Sequence, residues 1–130
     1  MVSALASEAT LLLYDGSPMV RDYKILWEFA ETERCTFFGT SAKYLDALFK
    51  AEVYPKNFVA LDSLRGMGST GSVLVAERFV DVYRYIKQDV HLASVSGGTD
   101  IISCFVLGYP SRPVWAGEIQ GIGLGLACDV

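Results

Sequence analysis

VHLASVSGGTD, residues 90–100, is the stretch that decides the fold. Val90–Val95 is a short apolar run of the kind that forms a buried strand, and Ser96–Asp100 is a turn of small residues that ends it. Just before it, Val75–Ile86 places apolar residues on one face at helical spacing. A helix leading into a buried strand predicts the second half of a β-α-β unit and therefore a parallel sheet.

The same alternation of apolar runs and helical patterns extends back towards the amino terminus. Gly39 is expected to end one strand and Ser69–Ser72 to form the turn after another, while Thr40 or Ser41 can cap a helix. Such alternation predicts an α/β fold, a mostly parallel sheet with right-handed crossover helices, in one domain over residues 1–130. The predicted strands are Thr10–Tyr14, Thr36–Phe38 and Leu64–Gly68, and the predicted helices are Asp22–Arg34 and Ser41–Lys50.

The carboxyl-terminal third is less regular. Ile101–Leu107 is an apolar run that suits either a strand or a buried helix, and Tyr109–Val114 is a proline-rich loop. Glu118–Leu126 (EIQGIGLGL) predicts a strand interrupted by glycines. The Walker A phosphate-loop motif GxxxxGK[ST] does not occur in these 130 residues.

Charge and composition exclude several classes of function. The net charge is −4 without any basic run, which argues against a nucleic-acid partner. No apolar run reaches the roughly 20 residues of a membrane span, and Met1–Thr10 has no basic segment, so neither a membrane protein nor a signal peptide is expected. With one histidine, His91, and no CxxC pair, a structural His91 is expected rather than a zinc site. Cys35, Cys104 and Cys128 are widely spaced, which favours a reducing, cytoplasmic setting.

Three predicted strand ends carry glycines and hydroxyl residues. Phe38–Ser41, Gly68–Ser72 and Ser94–Asp100 end neighbouring strands, and ligands of open parallel sheets bind at that edge. Glycine lets a ligand approach the backbone, whose free N–H groups suit phosphate oxygens, and Asp100 adds a carboxylate of the kind that Mg²⁺ prefers. Each turn alone is more often a plain turn than a site. The three together favour a nucleotide or phosphate pocket.

Several segments of the sequence resemble one enzyme family. LLLYDGSP, LWEFAETERCTFFGTSAKYL, LRGMGSTGSVL, DVHLASVSGGTDI and GEIQGIGLG, in this order and spacing, closely resemble the acetoacetyl-CoA synthetases, which are adenylate-forming enzymes. The likeness covers essentially the whole chain, and SGGTDI and FGTSAKYL are its most specific parts. It implies part of the amino-terminal AMP-binding domain of an enzyme that acts on acetoacetate, ATP and CoA with Mg²⁺. It also implies that Met1 lies inside a longer protein.

The resemblance assigns roles to matching positions. The turn at residues 69–73 would pass over adenine and ribose, with Gly71 as the glycine of closest approach. Thr99 would hydrogen-bond the α-phosphate, and Asp100 stands where the wider family usually has the Glu that helps to hold Mg²⁺, one methylene longer. The implied nucleotide contacts are Gly71, Ser72, Val73, Ser94, Ser96, Gly98 and Thr99; the implied acyl pocket is Thr70 and Gly97; the implied catalytic residue is Thr99 and the implied metal ligand is Asp100.

Gly97 is implied to set the acyl substrate. Acetyl-CoA synthetases, which resemble this fold, place a Trp at the matching position. Removing an indole opens space for acetoacetate, which is longer than acetate by two carbons. The resemblance therefore leads us to expect that Gly97→Trp in an intact enzyme would shift its preference towards acetate.

The family's other catalytic groups are expected outside this segment. The resemblance places a Lys-containing phosphate loop upstream, and a ribose-binding Asp, a hinge and a catalytic Lys downstream. Hydrophobic residues make up 52% of the chain, above the usual range once glycine is counted in place of tyrosine, which suggests apolar surface that a partner or further sequence covers. We therefore expect a fragment of an acetoacetate–CoA ligase that is inactive alone. The alternatives are a stand-alone nucleotide-binding module and a structural domain that binds nothing.

Overall fold

The computed structural model describes residues 2–129, in which no helix is long and apolar enough to cross a membrane. Met1, assigned above to the interior of a longer protein, lies outside this range. A short 3₁₀ turn covers Pro55–Asn57. The helices are α1 (Val2–Ala6), α2 (Ile25–Thr32), α3 (Ala42–Lys50) and α4 (Ala76–Tyr85); the strands are β1 (Phe37–Ser41), β2 (Gly66–Thr70), β3 (His91–Ser94), β4 (Ser96–Gly98), β5 (Ser103–Leu107) and β6 (Gly121–Ile122).

The first sheet is parallel, with strand order β1-β2-β3. Phe37 pairs with Gly66 and Gly66 pairs with His91, so the three strands start level and their carboxyl ends lie side by side. Helix α3 connects β1 to β2, and α4 connects β2 to β3. The predicted α/β fold with crossover helices is therefore confirmed, and the three strand ends do share one edge.

One face of the parallel sheet carries the hydrophobic core. Trp27 of α2 is fully buried and stacks on Phe38 of β1, with ring centroids 4.6 Å apart. Met67 of β2 and Leu92 of β3 follow Phe38 along the same row of the sheet. Burying an apolar side chain of this kind contributes roughly 1.5–3 kcal/mol. The core is completed from the helices by Leu45 and Leu48 of α3 and by Phe79 and Val82 of α4.

The opposite face of β2 is made of glycine. A Cβ built on Gly66 or Gly68 would come within 2.8 and 2.9 Å of the ring of Phe37, which therefore lies across both. Residues 66–71 (GMGSTG) match the spacing GxGxxG of dinucleotide-binding turns. In this protein, however, residues 66–70 of that match are strand β2 and do not open a helix. The first two glycines therefore serve packing against Phe37.

The first two strands run further than predicted. Gly39 does not end β1, because it pairs with Gly68 in the ladder and glycine keeps the N–H and C=O groups that pairing needs. The ladder goes on to Ser41 and Thr70. Residues 69–70, predicted as part of a turn, are therefore strand.

The amino-terminal quarter is less regular than predicted. The strand expected at residues 10–14 is absent, and Leu13, expected to be buried, is 68% exposed. A strand needs a neighbour to pair its backbone groups, and no strand within residues 2–129 pairs with this segment. Helix α2 begins at Ile25 instead of Asp22, because Asp22 and Tyr23 adopt φ values of +53° and +65°, which interrupt a right-handed helix.

The carboxyl-terminal residues form a second sheet, which is antiparallel with order β4-β5-β6. The predicted turn that begins at Ser96 is therefore the first strand of a hairpin, with a register shift between Ser96 and Gly97. Pairing with β5 overrides the weak strand propensity of these small residues. The ambiguous run at residues 101–107 is a turn followed by β5. Of the strand predicted over residues 118–126, only Gly121–Ile122 is strand.

Candidate functional site

A cleft of about 370 Å³ opens at the carboxyl ends of β2 and β3, a volume within the usual range of small-molecule sites. The two strand ends are held together beyond the sheet proper, because the Val95 N–H donates to the Ser69 carbonyl oxygen at 2.9 Å. The cleft is lined by Thr70, Gly71, Ser72, Val73 and Leu74 after β2, by Ser94, Val95, Ser96 and Gly97 around the junction of β3 and β4, and by Gly117 and Ile119.

The segment after β2 forms the first wall of the cleft. Gly71 has a φ of +80°, which glycine adopts at little cost. A Cβ built on Gly71 would meet no atom within 4 Å, so this glycine borders open space. Val73, two residues on, is 82% exposed and offers an apolar surface beside it. The structure thus brings Thr70, Gly71, Ser72 and Val73, all singled out from the sequence, to one wall.

The junction of β3 and β4 forms the second wall, with Ser94, Ser96 and Gly97. Gly97 is sterically constrained, since a Cβ there would lie 2.6 Å from the Cα of Cys104 and closer still to the carbonyl oxygen of Ser103. These are backbone atoms of β5, which can move only if the hairpin opens. A side chain at this position would therefore meet β5 before it reached the cleft, and the expected shift of Gly97→Trp towards acetate in an intact enzyme stays a prediction.

Gly98, Thr99 and Asp100 lie beyond the cleft, towards the tip of the β4–β5 hairpin. None of them lines it, and all three are exposed. The Thr99 carbonyl oxygen accepts a hydrogen bond from the Ile102 N–H at 3.2 Å, which closes the turn. Residues 2–129 contain no group of three His, Cys, Asp or Glu side chains suited to a metal ion.

The third predicted strand end has a structural role. Ser41 caps α3, because its Oγ accepts a hydrogen bond from the Tyr44 N–H at 3.2 Å. A cap of this type is worth about 1 kcal/mol. Neither Thr40 nor Ser41 lines the cleft. The cap predicted from the sequence is confirmed, and the site is built from two strand ends instead of three.

The third wall was not identified from the sequence. Gly117 and Ile119 come from the loop before β6, and Gly117 adopts a φ of +86°. A Cβ on Gly117 would lie 3.4 Å from the Cβ of Ala76, so this loop packs against the first residue of α4. In the sequence, only the segment GEIQ, residues 117–120, pointed to this loop. It contributed to the family resemblance, but no function was assigned to it.

The cleft carries no charged side chain. Its polar groups are hydroxyls and backbone groups, so an anion there would be held by hydrogen bonds and not by ion pairs. The resolved pKa shifts belong to other parts of the molecule. Hydrogen bonding to Lys50 lowers the pKa of Asp46 on the surface of α3, and burial raises the pKa of Tyr44 to about 12.

A second cavity, of about 290 Å³, lies between the end of α2 and residues 61–63. The Glu31 carboxylate in its wall accepts a hydrogen bond from the Leu61 N–H, which fastens the loop to the helix. That cavity is remote from the strand ends at which ligands of parallel sheets bind. The cleft at β2 and β3 is therefore the better candidate site.

Comparison with known proteins agrees with the fold and the resemblance. No protein-family profile matches the chain. An acetoacetyl-coenzyme A synthetase of Rhizobium meliloti (strain 1021) is 59% identical over 130 residues, which is 100% of this chain and 20% of that protein. The chain is related to the acetoacetyl-CoA synthetases. It spans about a fifth of the length of the acetoacetyl-CoA synthetases that it matches.

Two solved structures also resemble this chain. The acetoacetyl-CoA synthetase from Streptomyces lividans is 41% identical with a TM-score of 0.86, over 95% of this chain and 20% of that chain. An anthranilate CoA ligase in complex with anthranoyl-AMP is 17% identical with a TM-score of 0.71, over 86% of this chain and 21% of that chain. At that identity the second likeness concerns the fold alone.

Proposed function

We propose that the chain is part of the AMP-binding domain of an ATP-dependent acetoacetate–CoA ligase. The observation that carries the proposal is the cleft at the ends of β2 and β3, where Gly71 and Ser94 face one cavity of about 370 Å³. The relation to acetoacetyl-CoA synthetases supports acetoacetate as the acid. A cytoplasmic setting, expected from the three unpaired cysteines, belongs to the same proposal.

The first wall of the cleft suits the nucleoside. Val73 offers an exposed apolar side chain on which a purine can rest, and Gly71 leaves the neighbouring backbone open to close approach. Ser72 would complete the contacts to base and ribose. Thr70, at the end of β2, would border the acyl group together with Gly97.

The second wall suits the phosphate side. Ser94 and Ser96 present hydroxyls, and a hydroxyl donates well to an anionic oxygen. Gly98, Thr99 and Asp100 would join them from the hairpin tip, with Thr99 donating to the α-phosphate. Asp100 would contact Mg²⁺ carried by ATP, as one ligand among phosphate oxygens and waters.

The proposed reaction has two steps, and the cleft alone does not supply the charge that they need. A carboxylate oxygen of acetoacetate attacks the α-phosphorus of ATP, giving acetoacetyl-adenylate and pyrophosphate; the CoA thiol then attacks the acyl carbon and releases AMP. Negative charge builds up during both steps, yet the lining contains no cation. Losing one such stabilising group typically costs about 10²–10³-fold in rate. We therefore propose that the chain orients the nucleotide and does not turn over alone.

A segment exchange tests this proposal. The matching fifth of the Rhizobium meliloti acetoacetyl-CoA synthetase, 59% identical, would be replaced by residues 1–130. We expect the chimera to keep acetoacetate-dependent exchange of pyrophosphate with ATP, and the 130-residue chain alone to show none. A folded chimera that binds ATP but does not activate acetoacetate would contradict the proposal, as would exchange by the isolated chain.

Calorimetry separates the alternatives. The isolated chain would be titrated with AMP and with ATP-Mg²⁺. Binding near micromolar, with an inactive chimera, would favour a stand-alone nucleotide-binding module. An inactive chimera and no binding by either protein would favour a structural domain.

A further inference from the structure

The side chain of Gln120 takes part in several hydrogen bonds. Its Oε1 accepts a hydrogen bond from the Tyr109 N–H at 2.8 Å and lies 2.9 Å from Nε2 of His91. Its Nε2 shares two hydrogens among three carbonyl oxygens, those of Tyr109 at 3.1 Å, Arg112 at 2.9 Å and Pro113 at 3.0 Å. Both polar atoms of this carboxamide are therefore satisfied, and they reach two separate parts of the fold.

These partners fix the orientation of the amide and the tautomer of the histidine. Carbonyl oxygens can only accept, so the Gln120 nitrogen must face the three carbonyls. Its oxygen then faces His91, and an oxygen acceptor requires a proton on Nε2 of the imidazole. The neutral His91 ring is thus expected in its Nε2–H form.

The carboxamide joins the two sheets. His91 is the first residue of β3 in the parallel sheet, whereas Gln120 directly precedes β6 in the antiparallel sheet. Next to this junction the chain is tightly packed, because a Cβ on Gly108 would lie 2.5 Å from the Cβ of Ala93 and 2.9 Å from a ring carbon of His91. The hydrogen bonds of Gln120 therefore span the junction of the two sheets.

The return loop at residues 109–113 is braced by further contacts. The Arg112 guanidinium lies over the Tyr109 ring, 4.7 Å from its centroid, and its Nη1 donates to the Gln120 carbonyl oxygen at 3.4 Å. The Tyr109 hydroxyl donates to the Ile122 carbonyl oxygen. These contacts hold the loop against the backbone around Gln120. The Gln120 side chain can therefore fix the position of the residues next to it in the chain.

We propose that Gln120 is a positioning residue that fixes the third wall of the cleft. Gly117 and Ile119, which form that wall, lie three residues and one residue before it. By tying this segment to β3 through His91, the carboxamide sets the distance between the third wall and Ser94 at the other end of β3. The proposal rests on the proposed function for its effect on nucleotide binding, and its structural part can be read without a ligand.

The test compares Gln120→Met and Gln120→Glu in the 130-residue chain. Met keeps the length of the side chain and loses every hydrogen bond. Glu keeps the shape and the acceptor, but turns an oxygen towards three carbonyl oxygens that need a donor. We therefore expect Glu to be the more disruptive change although it is the closer isostere. A space-filling role would give the opposite order. Gln88, the other glutamine, is exposed, and Gln88→Met and Gln88→Glu serve as matched controls.

Two nuclear magnetic resonance readouts need no ligand. His91 is the only histidine, so its imidazole nitrogens report the tautomer without overlap; we expect the Nε2–H form in the wild type and a mixture in Gln120→Met. The amide signals of Gly117 and Ile119 should shift in that variant, and the Tyr109 N–H, which donates to Gln120 Oε1 at 2.8 Å, should exchange with solvent about tenfold faster. An Nδ1–H tautomer in the wild type would overturn the proposal even if neither variant folds, and so would unchanged wall amides in a folded variant.

The third readout is the affinity for AMP. We expect about tenfold weaker binding in Gln120→Met, a still greater loss in Gln120→Glu and no change in the Gln88 variants. Wild-type affinity in Gln120→Met would overturn the positioning role. If the wild-type chain does not bind AMP, nucleotide binding by the isolated chain fails, while the tautomer and the wall amides still decide the role of Gln120.

Discussion

At the scale of single residues, Gly71 and Gly39 make a matched pair. A Cβ on either would meet no atom within 4 Å, but only Gly71 has a positive φ, of +80°. We expect Gly71→Ala to lower the free energy of unfolding by about 1 kcal/mol through backbone strain. Gly39→Ala should raise it by up to about 1 kcal/mol, because alanine loses less entropy than glycine in a strand. Urea denaturation of both variants measures the difference, and equal effects would contradict the assigned conformation.

Gly97 and Gly98 make a second pair. A Cβ on Gly97 would clash with the backbone of β5, whereas on Gly98 the nearest atom is the Cγ1 of Ile101 at 4.0 Å. We expect Gly97→Ala to cost about 1–3 kcal/mol and Gly98→Ala to stay within about 0.5 kcal/mol of the wild type. Thermal unfolding of the two variants measures both changes in stability. Tolerance of alanine at Gly97 would restore the simpler expectation, in which this glycine leaves room for the acyl group.

The residues found from the sequence share one property. Gly71 and Ser94 lie in or beside turns of small residues that follow apolar runs, and that local pattern marks the approximate end of a strand. Gln120 was missed because its role comes from a contact with His91 of β3, 29 residues away in sequence, and Gly117 because it packs on Ala76 of α4; periodicity encodes neither contact. The role of Thr99 was drawn from the resemblance, and that of Asp100 from its carboxylate at a predicted strand end as well as from the resemblance. The hairpin holds both outside the cleft, and their roles are proposals.

At the scale of elements, the parallel sheet was predictable and the antiparallel one was not. Helices α3 and α4 lie within two residues of the predicted bounds, since an apolar stripe at helical spacing and a cap such as Ser41 are local signals. Strand β4 is Ser96-Gly97-Gly98, whose residues have little strand propensity of their own. Only its pairing with β5 makes it a strand, and pairing is a property of the folded chain.

The contact between α3 and the segment before α2 predicts a dependence of stability on pH. The Tyr44 hydroxyl donates to the Tyr23 carbonyl oxygen at 3.2 Å, and burial raises the pKa of Tyr44 from 10.0 to about 12. Between these values the unfolded chain loses the proton while the folded chain keeps it. The contribution of Tyr44 to the free energy of unfolding is therefore fully present below about pH 10, and it is lost as the pH rises towards 12.

Substitution isolates this effect. Tyr44→Phe cannot ionise, so we expect a shallower loss of unfolding free energy between pH 10 and 12 than in the wild type. Burial also raises the pKa of Tyr83. The unfolding free energy of Tyr44→Phe will therefore still fall to some extent with rising pH. Chemical denaturation at several pH values provides the measurement, and parallel curves for Tyr44→Phe and the wild type would refute the assignment.

At the scale of the whole molecule, the apolar excess of the sequence appears on the surface. Leu13, Trp115 and Leu124 are exposed, as is Phe37 on the glycine face of the parallel sheet. A parallel sheet is normally covered on both faces, and here the helices form the core on one. This agrees with a chain that spans about a fifth of its relatives. Residues 10–14, an apolar run that was predicted as a strand, likewise have no strand beside them within residues 2–129.

The central claim is that the ends of β2 and β3 hold a nucleotide against small residues. Titrating ¹⁵N-labelled chain with AMP, and following the backbone amides by nuclear magnetic resonance, tests it most directly. We predict the largest shifts at Gly71, Ser94 and Ser96, with Gly117 following as the third wall. Shifts centred on the cavity beside Glu31, or none at saturating AMP, would contradict the account.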